Sequence, residues 1–109
     1  MIGLSRAREM MMTNRRLKSQ DALEWGLVNK VVPDADLLKE AELLAKSFAS
    51  GPTRSFGIVK KLLNESFSAT LETQMEQEAR GICDMARTGD GIEGVNAFVG
   101  KRRPIFKGC

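Results

Sequence analysis

The stretch DALEWGLVNKVVP, Asp21–Pro33, contains the sharpest structural signal of the chain. A short helical pattern ends at Gly26, an apolar segment follows, and Pro33 stops it. Because glycine readily adopts the left-handed backbone that ends many helices, we expect Gly26 to form the C-cap of this helix. The apolar segment, residues 27–32, is the strand candidate. One such strand forms no sheet alone, so it either pairs outside the chain or remains an extended connector.

Outward from this stretch, apolar residues recur at helical spacing almost throughout the chain. Asp90 and Glu93, three residues apart, predict a capping box at the start of the last helix. That helix is expected to turn Ile92, Val95 and Phe98 or Val99 inward. The sequence therefore predicts an all-α fold of about six helices with one short extended connector, in one domain that covers residues 1–109.

The composition is typical of a globular domain. Hydrophobic residues make up 42% and charged residues 28% of the 109 residues, as in ordinary soluble globular proteins. No apolar run approaches the ~20 residues that span a bilayer, and we expect no membrane span and no signal peptide. Two cysteines are too few for a disulfide framework, so we expect a reducing, cytoplasmic compartment.

Charge is unevenly distributed along the chain. Residues 1–20 and 94–109 are basic, whereas the residues between them are acidic on balance. Basic ends on an acidic body are a weak indication of a phosphate-bearing partner. Solvated tails that keep the protein in solution are the alternative.

The chain contains few side chains that could act in catalysis or metal binding. The chain has no histidine, which is the commonest general base and metal ligand. Two separated cysteines without histidine do not make a zinc site, and no Gly-rich phosphate loop occurs. Glu72 and Glu76 share one helical face, an arrangement typical of a solvated surface. We therefore predict no catalytic residue and no metal site in this chain.

The segment AREMMMTNRRLKSQDALEWGLVNKVVP, residues 7–33, resembles a signature of the enoyl-CoA hydratase/isomerase (crotonase) superfamily. That family shows an alanine, an acid, three large apolar residues and a threonine-glycine turn, and later Gly-Leu-Val and Val-Val-Pro. Asn14 stands in place of the turn glycine, and asparagine tolerates the left-handed conformation. The matching residues are Ala7, Glu9, Met10 to Met12, Thr13, Ala22, Gly26 to Val28 and Val31 to Pro33.

The resemblance continues to the end of the chain. Lys60 matches the lysine of the helix after Gly51 and Pro52, and Glu78 matches a glutamate of the long helix. EGVNAFVGKRRPIFKG, residues 93–108, is similar to the closing signature of the family. Each motif alone is unspecific, but their order and spacing over the whole chain make the resemblance specific.

The resemblance implies the C-terminal helical, trimerisation-type domain of the crotonase fold. In the family an N-terminal α/β core, which would lie upstream of Gly3, supplies the oxyanion hole and the catalytic acids. The parent protein is then expected to act on acyl-CoA thioesters as a lyase or isomerase, with hydration of 2-enoyl-CoA as the commonest reaction. This chain alone is expected to be inactive.

The same resemblance implies partners and candidate binding residues. The partners would be the protein's own N-terminal core and further copies, as a trimer or dimer of trimers. No cofactor is expected beyond the coenzyme A of the substrate. Lys101 looks like the lysine that reaches the nucleotide end of coenzyme A, where a point charge suits the phosphates. Arg102 would assist, and Ile82 falls where the family often places an aromatic against the adenine.

Each of these assignments has a less specific alternative. Surface solvation competes with phosphate binding at Lys101 and is the expected role of Arg103, and Ile82 packs but does not stack. For the whole chain, the alternative function is a free-standing helical interaction and oligomerisation module without catalysis. A nucleic-acid-binding domain is the weakest candidate, because aromatic residues make up only 6%, tyrosine is absent and no helix has a basic reading face.

Overall fold

A computed structural model describes residues 2–109, and the regular structure in that part of the chain is entirely helical. The predicted all-α class with six helices is confirmed. The residues of the strand candidate form an irregular connector, and no strand occurs among residues 2–109. The helices are α1 (Gly3–Thr13), α2 (Ser19–Glu24), α3 (Leu37–Ala49), α4 (Thr53–Glu65), α5 (Leu71–Ala86) and α6 (Gly89–Val99), with a 3₁₀ turn at Asp34–Asp36.

The chain divides into two compact units, Met1–Glu40 and Ala41–Cys109. In the first unit, the guanidinium carbons of Arg6 and Arg15 lie 5.0 and 4.9 Å from the centroid of the Trp25 ring. Each contact is a cation–π interaction worth about 0.5–1 kcal/mol at an exposed site. Arg15 also donates to Glu9 at 2.7 Å. Two of the basic residues near the N-terminus are therefore engaged within their own unit.

The end of α2 has the left-handed turn that the sequence predicts at Gly26, whose φ is +71°. The Gly26 N–H donates to the carbonyl of Leu23 at 3.0 Å, and the Leu27 N–H donates to that of Ala22 at 2.8 Å. This pair of bonds is a Schellman motif, which satisfies carbonyls that the helix end leaves without partners. Ala22, whose carbonyl closes the turn, is only 8% exposed.

In the second unit, α5 packs against both α4 and α6. Gly81 is buried where α5 meets α4, and a Cβ there would lie 2.9 Å from a methyl carbon of Ile58. The missing side chain therefore lets the two helices approach closely. The half-buried face of α4 consists of Ser55, Ile58, Leu62 and Glu65.

The apolar stripes of α4, α5 and α6 lie outside these contacts and are exposed in the chain. The expectation that Ile92, Val95 and Phe98 or Val99 face inward is wrong for the described residues, since Phe98 is 85% exposed and the other three are exposed as well. The side of α6 that faces its own unit is instead small and polar. The exposed residues of the other two stripes are Phe56, Val59 and Leu63 on α4, Phe67 in the turn after it, and Leu71, Met75 and Ile82 on α5.

Candidate functional site

The candidate site is built on the first turn of α6, which starts at a different residue from the one that the sequence suggests. Thr88 is the N-cap, and its hydroxyl oxygen accepts from the Gly91 N–H at 3.0 Å. A Cβ at Gly91 would lie 2.1 Å from the Met85 carbonyl oxygen, so this close approach requires glycine. The predicted capping box of Asp90 and Glu93 is therefore wrong, because Thr88 caps the helix and both carboxylates bind elsewhere.

Asp90 holds the C-terminal end of the chain. Its two carboxylate oxygens accept from the backbone N–H groups of Lys107 and Gly108 at 2.7 and 2.9 Å. Its own N–H donates to the carbonyl of Cys109 at 2.8 Å. Asp90 is only 5% exposed, and its charge also lies in the first turn of α6, where the helix dipole favours an anion. The last three residues are thus fastened to the start of α6.

Glu93, one turn further along α6, holds the segment just after the helix. Its carboxylate accepts two parallel bonds from Arg102, at 2.6 and 2.7 Å, and a third from the Ile105 N–H at 2.9 Å. A forked arginine–carboxylate pair of this kind is specific in direction as well as strong. We call Glu93 and Arg102 the clamp.

The clamp changes the acid–base behaviour of both partners. The hydrogen bond from Arg102, followed by that from the Ile105 N–H, lowers the pKa of Glu93 to about 2. The same hydrogen bond raises the pKa of Arg102. Both groups are therefore charged throughout the physiological range. Because their charges cancel, the pair presents no net charge.

A cavity of about 540 Å³ lies between the start of α6 and the C-terminal segment. Both of its acidic side chains already accept bonds from the chain itself. Both carboxylates therefore hold the C-terminal segment of the chain. Its lining residues are Gly89, Asp90, Glu93, Arg102, Ile105, Lys107 and Cys109.

Lys101 lies at the turn that ends α6, and its φ is +48°. Its N–H donates to the carbonyl of Phe98 at 3.2 Å, and the Arg102 N–H donates to that of Ala97 at 3.0 Å. These bonds form a second Schellman motif, with lysine at the position where glycine is usual. The side chain of Lys101 is exposed, and its ammonium makes no ion pair within residues 2–109.

The structure treats the three predicted binding residues differently. Lys101 and Arg102 are neighbours at one turn, but the guanidinium of Arg102 is held by Glu93. Ile82 lies on α5, is 71% exposed and lines neither the cavity at α6 nor the groove between α4 and α5. Contact of these residues with coenzyme A stays a prediction.

Sequence reasoning missed the roles of Asp90 and Glu93. A signal was present, since Glu93 and Arg102 have opposite charges on either side of the helix end at Gly100. Within residues 2–109 no three histidine, cysteine or acidic side chains group to hold a metal ion. None of the helices described is long and apolar enough to cross a membrane.

Comparison with known proteins identifies the family of the chain. The sequence model of the family described as "Enoyl-CoA hydratase/isomerase" matches residues 1–109. The chain belongs to the enoyl-CoA hydratase/isomerase family. The matched residues include the clamp and Lys101.

Individual members of the enoyl-CoA hydratase/isomerase family agree with this assignment. The chain is 36% identical to 1,2-epoxyphenylacetyl-CoA isomerase of Escherichia coli, over 97% of the chain and 40% of that protein. It is 39% identical to the probable mitochondrial enoyl-CoA hydratase of Dictyostelium discoideum, over 96% of the chain and 38% of that protein. The chain thus spans about 40% of the length of the curated relatives that it matches.

The structural comparison gives the same family. The crystal structure of a putative enoyl-CoA hydratase/isomerase from Mycobacterium abscessus matches with a TM-score of 0.94 and 34% identity. The match covers 99% of this chain and 42% of that protein. The helical architecture is therefore that of part of a crotonase fold, in agreement with the fold that the sequence predicts.

Proposed function

We propose that this chain is the C-terminal helical part of an acyl-CoA enzyme and that it contributes coenzyme A binding and assembly. The enzyme's reaction would be the hydration of a 2-enoyl-CoA thioester in the cytoplasm. The observation that carries the proposal is an exposed lysine, Lys101, on a left-handed turn inside the closing motif of a family whose members act on acyl-CoA. Membership of the family suggests an acyl-CoA substrate, and the left-handed turn presents Lys101 as the candidate contact.

The electrostatic part of the proposal concerns the nucleotide end of coenzyme A, which carries a pyrophosphate and a ribose phosphate. An ammonium is a compact point charge that suits phosphate oxygens. Lys101 is the candidate ligand because its ammonium is exposed, whereas Arg102 already binds Glu93. Ile82 would pack against the adenine through apolar contact alone.

The test is calorimetric titration of the chain with coenzyme A and with dephospho-coenzyme A, which lacks the ribose phosphate. We expect tighter binding of coenzyme A, and a loss of roughly tenfold in Lys101→Ala, equivalent to about 1.4 kcal/mol. Lys39→Ala is the matched control, because Lys39 is an exposed lysine of α3 without an ion pair in the described residues. Equal binding of the two ligands, or equal losses in the two variants, would contradict the role of Lys101.

Assembly is the second contribution that we propose. The exposed stripes of α4, α5 and α6 carry more large apolar side chains than a solvated surface of a monomer normally does. We propose that the protein's own α/β core and further copies of the protein cover them, as a trimer or dimer of trimers. These stripes support the proposal because they stay exposed within the unit, although Phe56 packs edge-to-face on Phe48.

The same stripes favour the alternative function, a free-standing helical oligomerisation module without catalysis. Sedimentation velocity at several concentrations, combined with the titration above, separates the two functions. Concentration-dependent trimers that show no preference for coenzyme A would support the module. Trimers that prefer coenzyme A over dephospho-coenzyme A would support the acyl-CoA enzyme.

We propose that the chain alone does not turn over 2-enoyl-CoA. Hydration needs donors fixed where the thioester oxygen gains charge and a carboxylate placed to activate water. The two carboxylates at the candidate site already accept bonds from the chain. Loss of the enoyl thioester absorbance in the presence of the purified chain would overturn this point.

A further inference from the structure

Lys101 is one of two non-glycine residues with a positive φ among the described residues, the other being Asn14. Asparagine visits the left-handed region readily, but lysine has no side-chain group that eases this conformation. Gly100, which would adopt it freely, stands one position earlier with a φ of −76°. The chain therefore places lysine, and not the adjacent glycine, at the left-handed position of the turn.

The turn is fixed on both of its sides. Before it, the N–H groups of Lys101 and Arg102 bond to carbonyls of α6. After it, Glu93 accepts two bonds from the Arg102 guanidinium and one from the Ile105 N–H. These bonds attach residues 102–105 to the side of α6. Lys101 lies between two anchored segments, so the direction in which its side chain leaves the chain is restricted.

We propose that Glu93 is a positioning residue, which holds Lys101 in its left-handed turn through Arg102 and so directs its ammonium toward the phosphates of coenzyme A. This inference rests on the proposed function of Lys101. It gives Arg102 a role other than direct phosphate binding, since the guanidinium forms the fork with Glu93. It also explains why an acidic residue lies close to a site for an anion.

Positioning and simple charge predict opposite effects for one substitution. Glu93→Gln removes a negative charge next to the site and frees Arg102, so charge alone would tighten binding of coenzyme A. If Glu93 positions Lys101, the same variant weakens binding, because a mobile lysine must be ordered by the ligand. The sign of the change therefore separates the two explanations.

The experiment is titration of coenzyme A into the wild-type chain, Glu93→Gln and Glu72→Gln. Glu72 is an exposed acid of α5, so its variant makes the same change of charge away from the turn. We expect roughly fivefold weaker binding in Glu93→Gln, the size of effect expected from ordering one long side chain. Glu72→Gln should bind as tightly as the wild type. Unchanged or tighter binding in Glu93→Gln would overturn the proposal.

Two further variants keep the result interpretable. Glu93→Asp retains the charge but has a shorter side chain, so it should bind coenzyme A more tightly than Glu93→Gln does. If Glu93 served stability alone, the two variants would bind coenzyme A equally. In an Arg102→Ala background, Glu93→Gln should have no additional effect on affinity, because the path to Lys101 is already broken. A full additional loss in the double variant would contradict action through Arg102.

The outcomes also separate this inference from the proposed function. If Lys101→Ala binds coenzyme A as tightly as the wild type, the proposed role of Lys101 fails and the positioning role fails with it. If Lys101→Ala loses affinity but Glu93→Gln does not, Lys101 binds phosphate and the clamp does not position it. Helix content measured by circular dichroism shows which variants keep the fold.

Discussion

The ends of α2 and α6 close with the same pair of hydrogen bonds but place different residues at the left-handed position. That residue is Gly26 after α2, with a φ of +71°, and Lys101 after α6, with a φ of +48°. Each turn ends on the carbonyl of an alanine, Ala22 at 8% exposure and Ala97 at 1%, and these two are the buried hydrophobic residues of the described chain. The two turns are thus equivalent in local geometry.

The difference shows what each turn does. After α2 the chain uses the residue that backbone geometry favours, and the described segment that follows is bonded by the exposed pair of Lys30 with Glu40 of α3, not by a side chain of α2. After α6 the chain uses a long cationic side chain, and two carboxylates of the helix fasten the following segment. A residue that is unfavourable for the backbone therefore coincides with additional anchoring, which is the pattern expected where a side chain has a task beyond closing a helix.

The largest expected effect on stability comes from breaking this anchoring at Asp90. Asp90→Ala removes the acceptor of two backbone N–H groups in a nearly buried position, so we expect it to lower the free energy of unfolding by about 3 kcal/mol. Asp84→Ala, at an exposed position of α5, should change it by less than about 0.5 kcal/mol. Urea denaturation followed by circular dichroism measures both. Similar midpoints for the two variants would show that the C-terminal segment is not anchored by Asp90.

A smaller effect is expected at the end of α2. A Cβ at Gly26 would meet no atom within 4 Å, so Gly26→Ala tests backbone conformation alone. We expect a loss of about 1 kcal/mol of unfolding free energy, because alanine is strained at positive φ. Gly57→Ala is the matched control, since Gly57 also has open space but lies inside α4, where alanine should stabilise by up to about 1 kcal/mol. Changes of the same sign in the two variants would argue against a left-handed turn at Gly26.

The response of the clamp to pH is the smallest expected effect, because Glu93 lies at the surface. Its pKa is lowered to about 2, from an ordinary value of 4.5. Its contribution is therefore complete above pH 4.5 and is lost as the pH falls toward 2. The amide signal of Ile105, which donates to Glu93, should report the loss in an NMR titration. The clamp assignment fails if that signal titrates identically in Glu93→Gln.

The sequence was sufficient for the helical class and for the turn at Gly26. Helical spacing of apolar residues identifies helices, and glycine after a short helix identifies a left-handed end. The sequence did not show what covers the apolar faces. Ile92 and Val95 form a stripe on α6 as expected, yet they are exposed, because amphipathicity reports which side is apolar and not which partner covers it.

The candidate site was predictable only in part. The family resemblance pointed to Lys101, but the clamp joins residues nine positions apart and the Asp90 contacts reach 17 and 18 positions along the chain. Short-range sequence patterns do not predict contacts between residues so far apart in the chain. Asp90 and Glu93 have the three-residue spacing of a capping box, so the sequence pattern favours Asp90 as the cap. In the structure the cap is Thr88.

We propose that the lysine at the end of α6 serves to bind coenzyme A and not to form the turn. The most direct measurement determines both the unfolding free energy and the coenzyme A affinity of Lys101→Gly. We expect the variant to be more stable by about 1 kcal/mol, since glycine suits the left-handed backbone, and to bind roughly tenfold more weakly. Asn14→Gly, at the other left-handed position, should leave affinity unchanged. Undiminished affinity in Lys101→Gly would contradict the claim.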